Sequence, residues 1–319
     1  MNQPIQKVAP GPPGHFLLGN LREFRRDVLG LVTQSAARYG DIVRCRLGPQ
    51  IVHLINHPDH IEQILQKRAA NYNKNTRSSD YIKSVTGDSL LTCNGDFWKR
   101  QRRMDQPAFH HHQIAGFADT MTTLTGRMLD SWALVSTGRK ELNIASEMAH
   151  LTYSIVGQTL FSFNTGKDAE TVEKAMRVIL PYVFSRLGQL INWPIWFPTP
   201  SNRKFHRSLA AVDHVVYGII DQHRKAQENG EPDKDLLAML LRARDPDTDT
   251  GLSDSQLRNE TITFLLAGHE TTANALTWIF YLLSQHPEVE RELLAEISRV
   301  LDGKIPTLAD ISKLSYTKW

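Results

Sequence analysis

The chain is poor in the features that would assign it to several large protein classes. Only two cysteines, Cys45 and Cys93, occur in its 319 residues. They cannot form a disulfide framework, and a reducing cytosol is the default compartment. No run of about 18 apolar residues is present, so no transmembrane anchor is expected. The N-terminal stretch MNQPIQKVAPGPPGH has no apolar core and does not read as a signal peptide. Net charge is only +3, too small to mark a nucleic-acid surface, so no nucleic-acid partner is expected. Several catalytic signatures are missing too: the Gly-rich phosphate loop, a Gly-x-Gly-x-x-Gly turn after a strand, and a Gly-x-Ser-x-Gly elbow. His269–Glu270 opens like a zinc-protease motif, but Ala273 stands where the second histidine would be. His53, His57 and His60 are interrupted by Pro58, and the run His110–His112 points around a helix in different directions. No metal site formed by side chains of this chain is expected.

What is present is an ordinary globular mixture, 41% apolar and 22% charged, long enough for a sizeable core. Pro10–Gly14 reads as a stiff extended arm. A helix is expected from Asp27 to Arg38, ending at Gly40, a suitable C-terminal glycine. Two short β-branched runs, Ile42–Leu47 and Ile51–Ile55, flank Gly48 and Pro49 and read as a hairpin. After Pro58 the pattern is helical: Gly95–Ala108, Gln113–Val135, Ile144–Phe161, Asp168–Leu187, Asn202–Glu228, Lys234–Arg244, Ser253–Gln285 and Pro287–Leu301. Ser253 and Gln256 spell a capping box at the start of the longest segment. Its Leu265–Gly268 centre is apolar on several sides and is expected to cross the core. Asn229–Lys234 and Asp245–Gly251 are polar turn sequences and are expected to be exposed. Leu190–Pro200 is a proline-rich apolar loop, either tucked against the body or used on a surface. The architecture expected is mainly α with a small N-terminal β-sheet.

Two constellations carry chemistry. In the long helix, Ala267-Gly268-His269-Glu270-Thr271-Thr272 places Ala267 and Thr271 on one face with Gly268 beside them. That face is flat and small, with one hydroxyl and a neighbouring carboxylate. It suits a planar ligand lying against the backbone; a glycine at a helix crossing with a satisfied polar pair is the plainer alternative. In Trp98-Lys99-Arg100-Gln101-Arg102, the indole and the Arg102 guanidinium are i, i+4 and can converge on one anion. A solvated basic face is the alternative.

Together these residues resemble the cytochrome P-450 family of haem-thiolate monooxygenases. Ala267–Thr272 matches the family's long-helix signature, and Trp98-x-x-x-Arg102 its haem-propionate helix. Pro10–Gly14 followed by Leu18-Gly19-Asn20 is similar to its proline-rich entry, and Tyr39–Val43 to the lead into its first sheet. The resemblance implies one cytochrome P-450-like domain over residues 1–319 that binds haem b (iron protoporphyrin IX). It also implies an apolar small-molecule substrate, O₂, and electrons from a ferredoxin or flavoprotein reductase. The cysteine usage and the lack of a long apolar run make a soluble, cytoplasmic protein the expectation. Ala267 and Gly268 would lie against the porphyrin, Trp98 and Arg102 would hold a propionate, Thr271 would hydrogen-bond the bound dioxygen or an ordered water, and Glu270 would relay protons. The family's ligand loop, Phe-x-x-Gly-x-x-x-Cys, fits neither cysteine: the corresponding positions are Thr86 and Ser89 before Cys93, and Arg38 and Asp41 before Cys45. Glu23/Arg26 and Glu288/Arg291 spell the family's Glu-x-x-Arg, but in the wrong places. The expectation is therefore a domain truncated at its C-terminus, with the axial cysteine outside this chain and no monooxygenase activity in residues 1–319 alone. The competing class is a non-catalytic all-α module that binds haem or another hydrophobic ligand.

Overall fold

The structure, a computed structural model, describes residues 8–136, 141–162, 167–187, 192–231 and 235–318. They fall into two compact units, Met1–Tyr81 with Leu180–Asn202, and Ile82–Ile179 with Arg203–Trp319.

The first unit begins with the proline arm. Its Pro10 carbonyl accepts from Arg44 N at 2.8 Å, which lays the arm beside the first strand. Helices α1 (Leu21–Arg26) and α2 (Val28–Tyr39) follow. Asp27 caps α2 by accepting from Gly30 N at 2.8 Å, and Gly40, at φ +87°, lets the chain leave it. The expected hairpin is present as β1 (Ile42–Leu47) and β2 (Gln50–Ile55), antiparallel, with Ile42 opposite Ile55 and Leu47 opposite Gln50. Helix α3 (Pro58–Glu62) starts on Pro58 and runs into a single π turn.

The described part of the apolar proline-rich loop, from Asn192, also belongs here; Leu190 and Ile191 lie outside the described residues. Asn202 donates to Pro194 O and Phe197 O, while Arg186 donates to Trp193 O. The loop backbone is thus tied down, although Trp193, stacked on Phe197, and Trp196 keep most of their surface in solvent.

The second unit is helical: α4 (Arg77–Thr86, which begins in the first unit), α5 (Gly95–Asp105), α6 (His111–Ala115), α7 (Ala118–Ser136) and α8 (Ile144–Phe161). Helices α9 (Lys167–Leu187) and α10 (Pro200–Glu228) contribute residues to both units. Helices α11 (Leu236–Arg242), α12 (Asp254–Gln285) and α13 (Pro287–Leu301) complete it. The core of the second unit gathers Met148, Phe161, Phe205, Leu236, Leu237, Leu240, Leu257, Ile262 and Leu265. Helix α12 packs along α8. Its capping box forms as expected, with Gln256 N donating to Ser253 Oγ at 3.3 Å and Ser253 N donating to Gln256 Oε1 at 2.9 Å.

Three expectations need correction. The Gln113–Val135 helix is two helices, because the backbone tightens into turns at Gly116 and Phe117. Helix α5 ends at Asp105, and Gln106–Phe109 continues as a 3₁₀ turn, since Pro107 has no N–H for an α-helical bond. The long helix does not bury its apolar centre evenly. Its buried stretch is Leu257–Leu265, which includes Arg258, Asn259 and Glu260, whereas Trp278–Leu282 is exposed. The aromatic-rich half lacks a covering element among the described residues, and the polar half has partners.

Candidate functional site

The α12 motif divides its residues between two directions. Ala267 and Thr271 share the exposed side, and Thr271 Oγ1 donates to the Ala267 carbonyl at 2.5 Å. This back-bond is the usual refuge of a helical threonine hydroxyl, and it leaves the oxygen lone pairs facing outward. Glu270, half-buried one step around, makes no hydrogen bond or ion pair among the described residues.

Gly268 points the other way. A Cβ built there would lie 2.9 Å from Val156 Cγ2, so the missing side chain is what lets α12 approach α8. The helix-crossing reading of Gly268 therefore has direct geometric support, while the flat exposed face belongs to Ala267. His269 also turns to α8. Its ring meets Tyr153 edge-on at 5.4 Å. Burial holds its pKa below the ordinary imidazole value. Thr152 Oγ1 lies 3.2 Å from the His269 carbonyl.

The second constellation sits on α5. The Arg102 guanidinium lies over the Trp98 ring at 5.2 Å from its centroid, so the i, i+4 convergence is present as a cation–π contact. The neighbouring arginines are occupied. Arg100 pairs with Asp245 and donates to Thr250, and Arg103 pairs with Asp247 at 2.6 Å. Asp245 is only 4% exposed, so the Asp245–Gly251 segment is not wholly the solvated turn expected from its composition. Its aspartates dock on α5 because two arginines there are in register to receive them. Arg102 alone of the three carries no ion pair among the described residues.

The two motif helices belong to the same unit and are joined through the residues that flank α5. Phe109, one turn past α5, meets Phe264 of α12 at 5.2 Å between ring centroids. The segment leading into α5 is hydrogen-bonded to α12, for example through Leu90 N to Glu260 Oε1 at 2.8 Å. Sequence reasoning missed this junction, since it pairs residues about 170 positions apart. It also missed Asp105, 1% exposed, whose Oδ2 makes no hydrogen bond among the described residues and whose carboxyl is pushed up to about 7 by burial.

A family model for cytochrome P450 matches residues 9–319. The chain belongs to the cytochrome P450 family. This P450 chain is 35% identical over 314 residues to a cyclooctat-9-en-7-ol 5-monooxygenase of Streptomyces melanosporofaciens, an alignment covering 98% of this chain and 65% of the relative. It is 32% identical to a cyclooctatin synthase of the same organism, over 98% of this chain and 66% of that relative. It is 31% identical to a pentalenene oxygenase of Streptomyces avermitilis, over 97% of this chain and 67% of that relative. The chain thus spans about two thirds of the length of these relatives. The expected fold class agrees with this membership.

The cofactor the family implies can be tested against these residues. The P450 chain offers a guanidinium with no ion pair among the described residues beside an indole on α5, and a small exposed face with a hydroxyl on α12. Those are the donors and the flat wall that an anionic planar macrocycle needs, so the residues fit haem. Both cysteines are buried, and burial pushes the Cys45 thiol above its ordinary pKa. No group of histidine, cysteine or carboxylate side chains among the described residues could hold a metal ion. No helix among the described residues is long and apolar enough to cross a membrane.

Proposed function

We propose that this P450 is a haem-dependent monooxygenase that inserts one oxygen atom of O₂ into an apolar organic substrate. The observation that carries the reading is the face shared by Ala267 and Thr271 on α12, a methyl-sized surface with a hydroxyl at its edge. Relatives named for cyclooctat-9-en-7-ol and pentalenene support an apolar substrate. Haem b, when bound, supplies the iron that activates O₂ with electrons from a ferredoxin or a flavoprotein reductase. We also assign the protein to the soluble cytoplasm, where two buried free thiols persist.

Arg102 and Trp98 would hold a propionate, the guanidinium by charge and the indole N–H by hydrogen bonding. Ala267 would keep the long helix close to the macrocycle, and Gly268 contributes by letting α12 seat on α8. Thr271 holds its proton on the Ala267 carbonyl at rest. Rotation about the Cβ–Oγ1 bond would turn that proton toward a molecule on the open side without unfolding the helix. Glu270, with no partner among the described residues, would take protons from solvent and pass them to that side.

Thr271→Ala tests the reading in the full-length protein. Among the described residues the hydroxyl bonds only its own helix, so folding and haem content should change little. Peroxide formed per cofactor molecule oxidised should rise about 10-fold or more, in line with the contribution of a positioned proton donor. Unchanged coupling of cofactor oxidation to product would refute the assignment.

A further inference from the structure

Three consecutive residues of α12 each bond a different backbone group in the stretch from the last turn of α4 to the start of α5. Arg258 Nη1 donates to Val85 O at 2.7 Å, Asn259 Nδ2 donates to Asp88 O at 3.2 Å, and Glu260 Oε1 accepts from Leu90 N at 2.8 Å. Successive helical side chains diverge by about 100°, so the segment wraps around α12 rather than touching one side of it. Gly87 lies in the wrap at φ +62°, and a Cβ there would sit 2.4 Å from the Asn259 carboxamide. Backbone and carboxamide are therefore in close contact, and alanine at 87 would clash as well as strain the chain.

The wrapped segment is itself stiff. Thr92 Oγ1 donates to Gly87 O at 2.6 Å, Ser89 N donates to Thr92 Oγ1 at 3.0 Å, and Cys93 N donates to Ser89 O at 2.8 Å. Immediately after it, Trp98 N bonds Asn94 O at the start of α5. At the far end of α5, Phe109 rests against Phe264. Helix α5 is thus fastened to α12 before its first turn and after its last. Burying Arg258 and Glu260 is expensive unless each finds partners. Arg258 finds Asp213 as well as Val85, and holds Asn259 Oδ1 at 3.1 Å. An apolar trio would fill the same space without fixing the register of the loop.

We infer that Arg258, Asn259 and Glu260 are positioning residues that set where α5 stands along α12. They therefore set where Trp98 and Arg102 stand relative to Ala267 and Thr271. The inference rests on the reading of Arg102 as a propionate holder, and the experiment keeps the two apart. Asn259→Asp retains the acceptor for Arg258 and loses the donor to Asp88 O. In the full-length haem-loaded protein, haem loss to excess apoglobin should quicken about fivefold to tenfold in Asn259→Asp. In the Arg102→Ala background the same change should add less than about twofold, because both substitutions remove one interaction. In the apoprotein, amide exchange at Leu90 and Trp98 should accelerate about tenfold in Asn259→Asp. Multiplied effects on haem loss, or unchanged exchange at both amides, would overturn the inference. Arg102→Ala with no effect on haem loss would refute the propionate reading alone, and the positioning of α5 would then stand or fall on the exchange at Leu90 and Trp98.

Discussion

Gly268→Ala distinguishes a glycine kept for helix packing from one kept for a cofactor. The new methyl would lie 2.9 Å from Val156 Cγ2, against an ordinary carbon–carbon contact of about 3.5–4.0 Å. Val156 is buried in α8, and a helical valine has one strongly preferred rotamer, so it cannot turn aside cheaply. Overpacking of this kind costs about 1–3 kcal/mol. Replacing a helical glycine by alanine returns about 1 kcal/mol. The net loss expected for Gly268→Ala is therefore about 0–2 kcal/mol. Val156→Ala alone should cost about 1–2 kcal/mol for two buried methyl groups, but it opens the space that the alanine methyl needs. In that background Gly268→Ala should become stabilising by about 1 kcal/mol. The reversal amounts to a coupling of about 1–3 kcal/mol, well within the range seen for residues in contact. Urea unfolding of the four apoproteins measures it, provided the transitions share one slope. An equal effect of Gly268→Ala in both backgrounds would show that the glycine does not serve the α8 contact.

Arg100→Ala should lower the unfolding temperature by several degrees, because it leaves the buried Asp245 carboxylate without its ion pair. Arg102→Ala should leave that temperature within about a degree and quicken haem loss instead; equal haem loss in both variants would undo the assignment of Arg102. Asp105, raised from 3.8 to about 7 by burial, binds its proton more tightly folded than unfolded. Its contribution to stability is therefore complete below about pH 4 and disappears as the pH rises through 7. Asp105→Asn should raise the unfolding temperature at pH 8 and change it little at pH 4, and the same gain at both pH values would show that the carboxyl is not held neutral. Cys45→Ser and Cys93→Ser should each retain the thiolate-type absorbance of the reduced carbon monoxide complex in the full-length protein. Loss of that band in either variant would make the altered cysteine the axial ligand.

Local rules carried much of this fold. Helix α8 spans the predicted Ile144–Phe161, and the Ser253/Gln256 box closes as its spacing requires. Trp98 and Arg102 meet because four residues make about one helical turn, which needs no tertiary information. Reading failed where a distant partner decided the outcome. Asp245 looked solvated by composition, but Arg100, 145 positions away, buries it. At Gly268 the sequence leaves a flat ligand face and a helix crossing both open, and only Val156, more than a hundred residues earlier, supports the crossing. Helix α12 misled for a related reason. Its apolar Leu265–Gly268 centre marks the expected core, whereas the buried stretch reaches back over Arg258, Asn259 and Glu260 because the end of α4 and the segment after it supply their hydrogen bonds.

Mechanically, α12 is a beam of 32 residues, about 48 Å long at the α-helical rise. It is gripped from Leu257 to Ala273, by the wrapped segment at one end of that span and by α8 at the other. Beyond Ala273 it is a cantilever with an apolar tip, steadied near Phe280 by Trp132. Bending of a cantilever grows with distance from its support. Thr271 lies two residues inside the grip, so its hydroxyl inherits the stillness of the support while Trp278–Leu282 absorbs the sway. Backbone relaxation along α12 should accordingly show a step in amplitude after Ala273, with Glu270 and Thr271 on the quiet side of it.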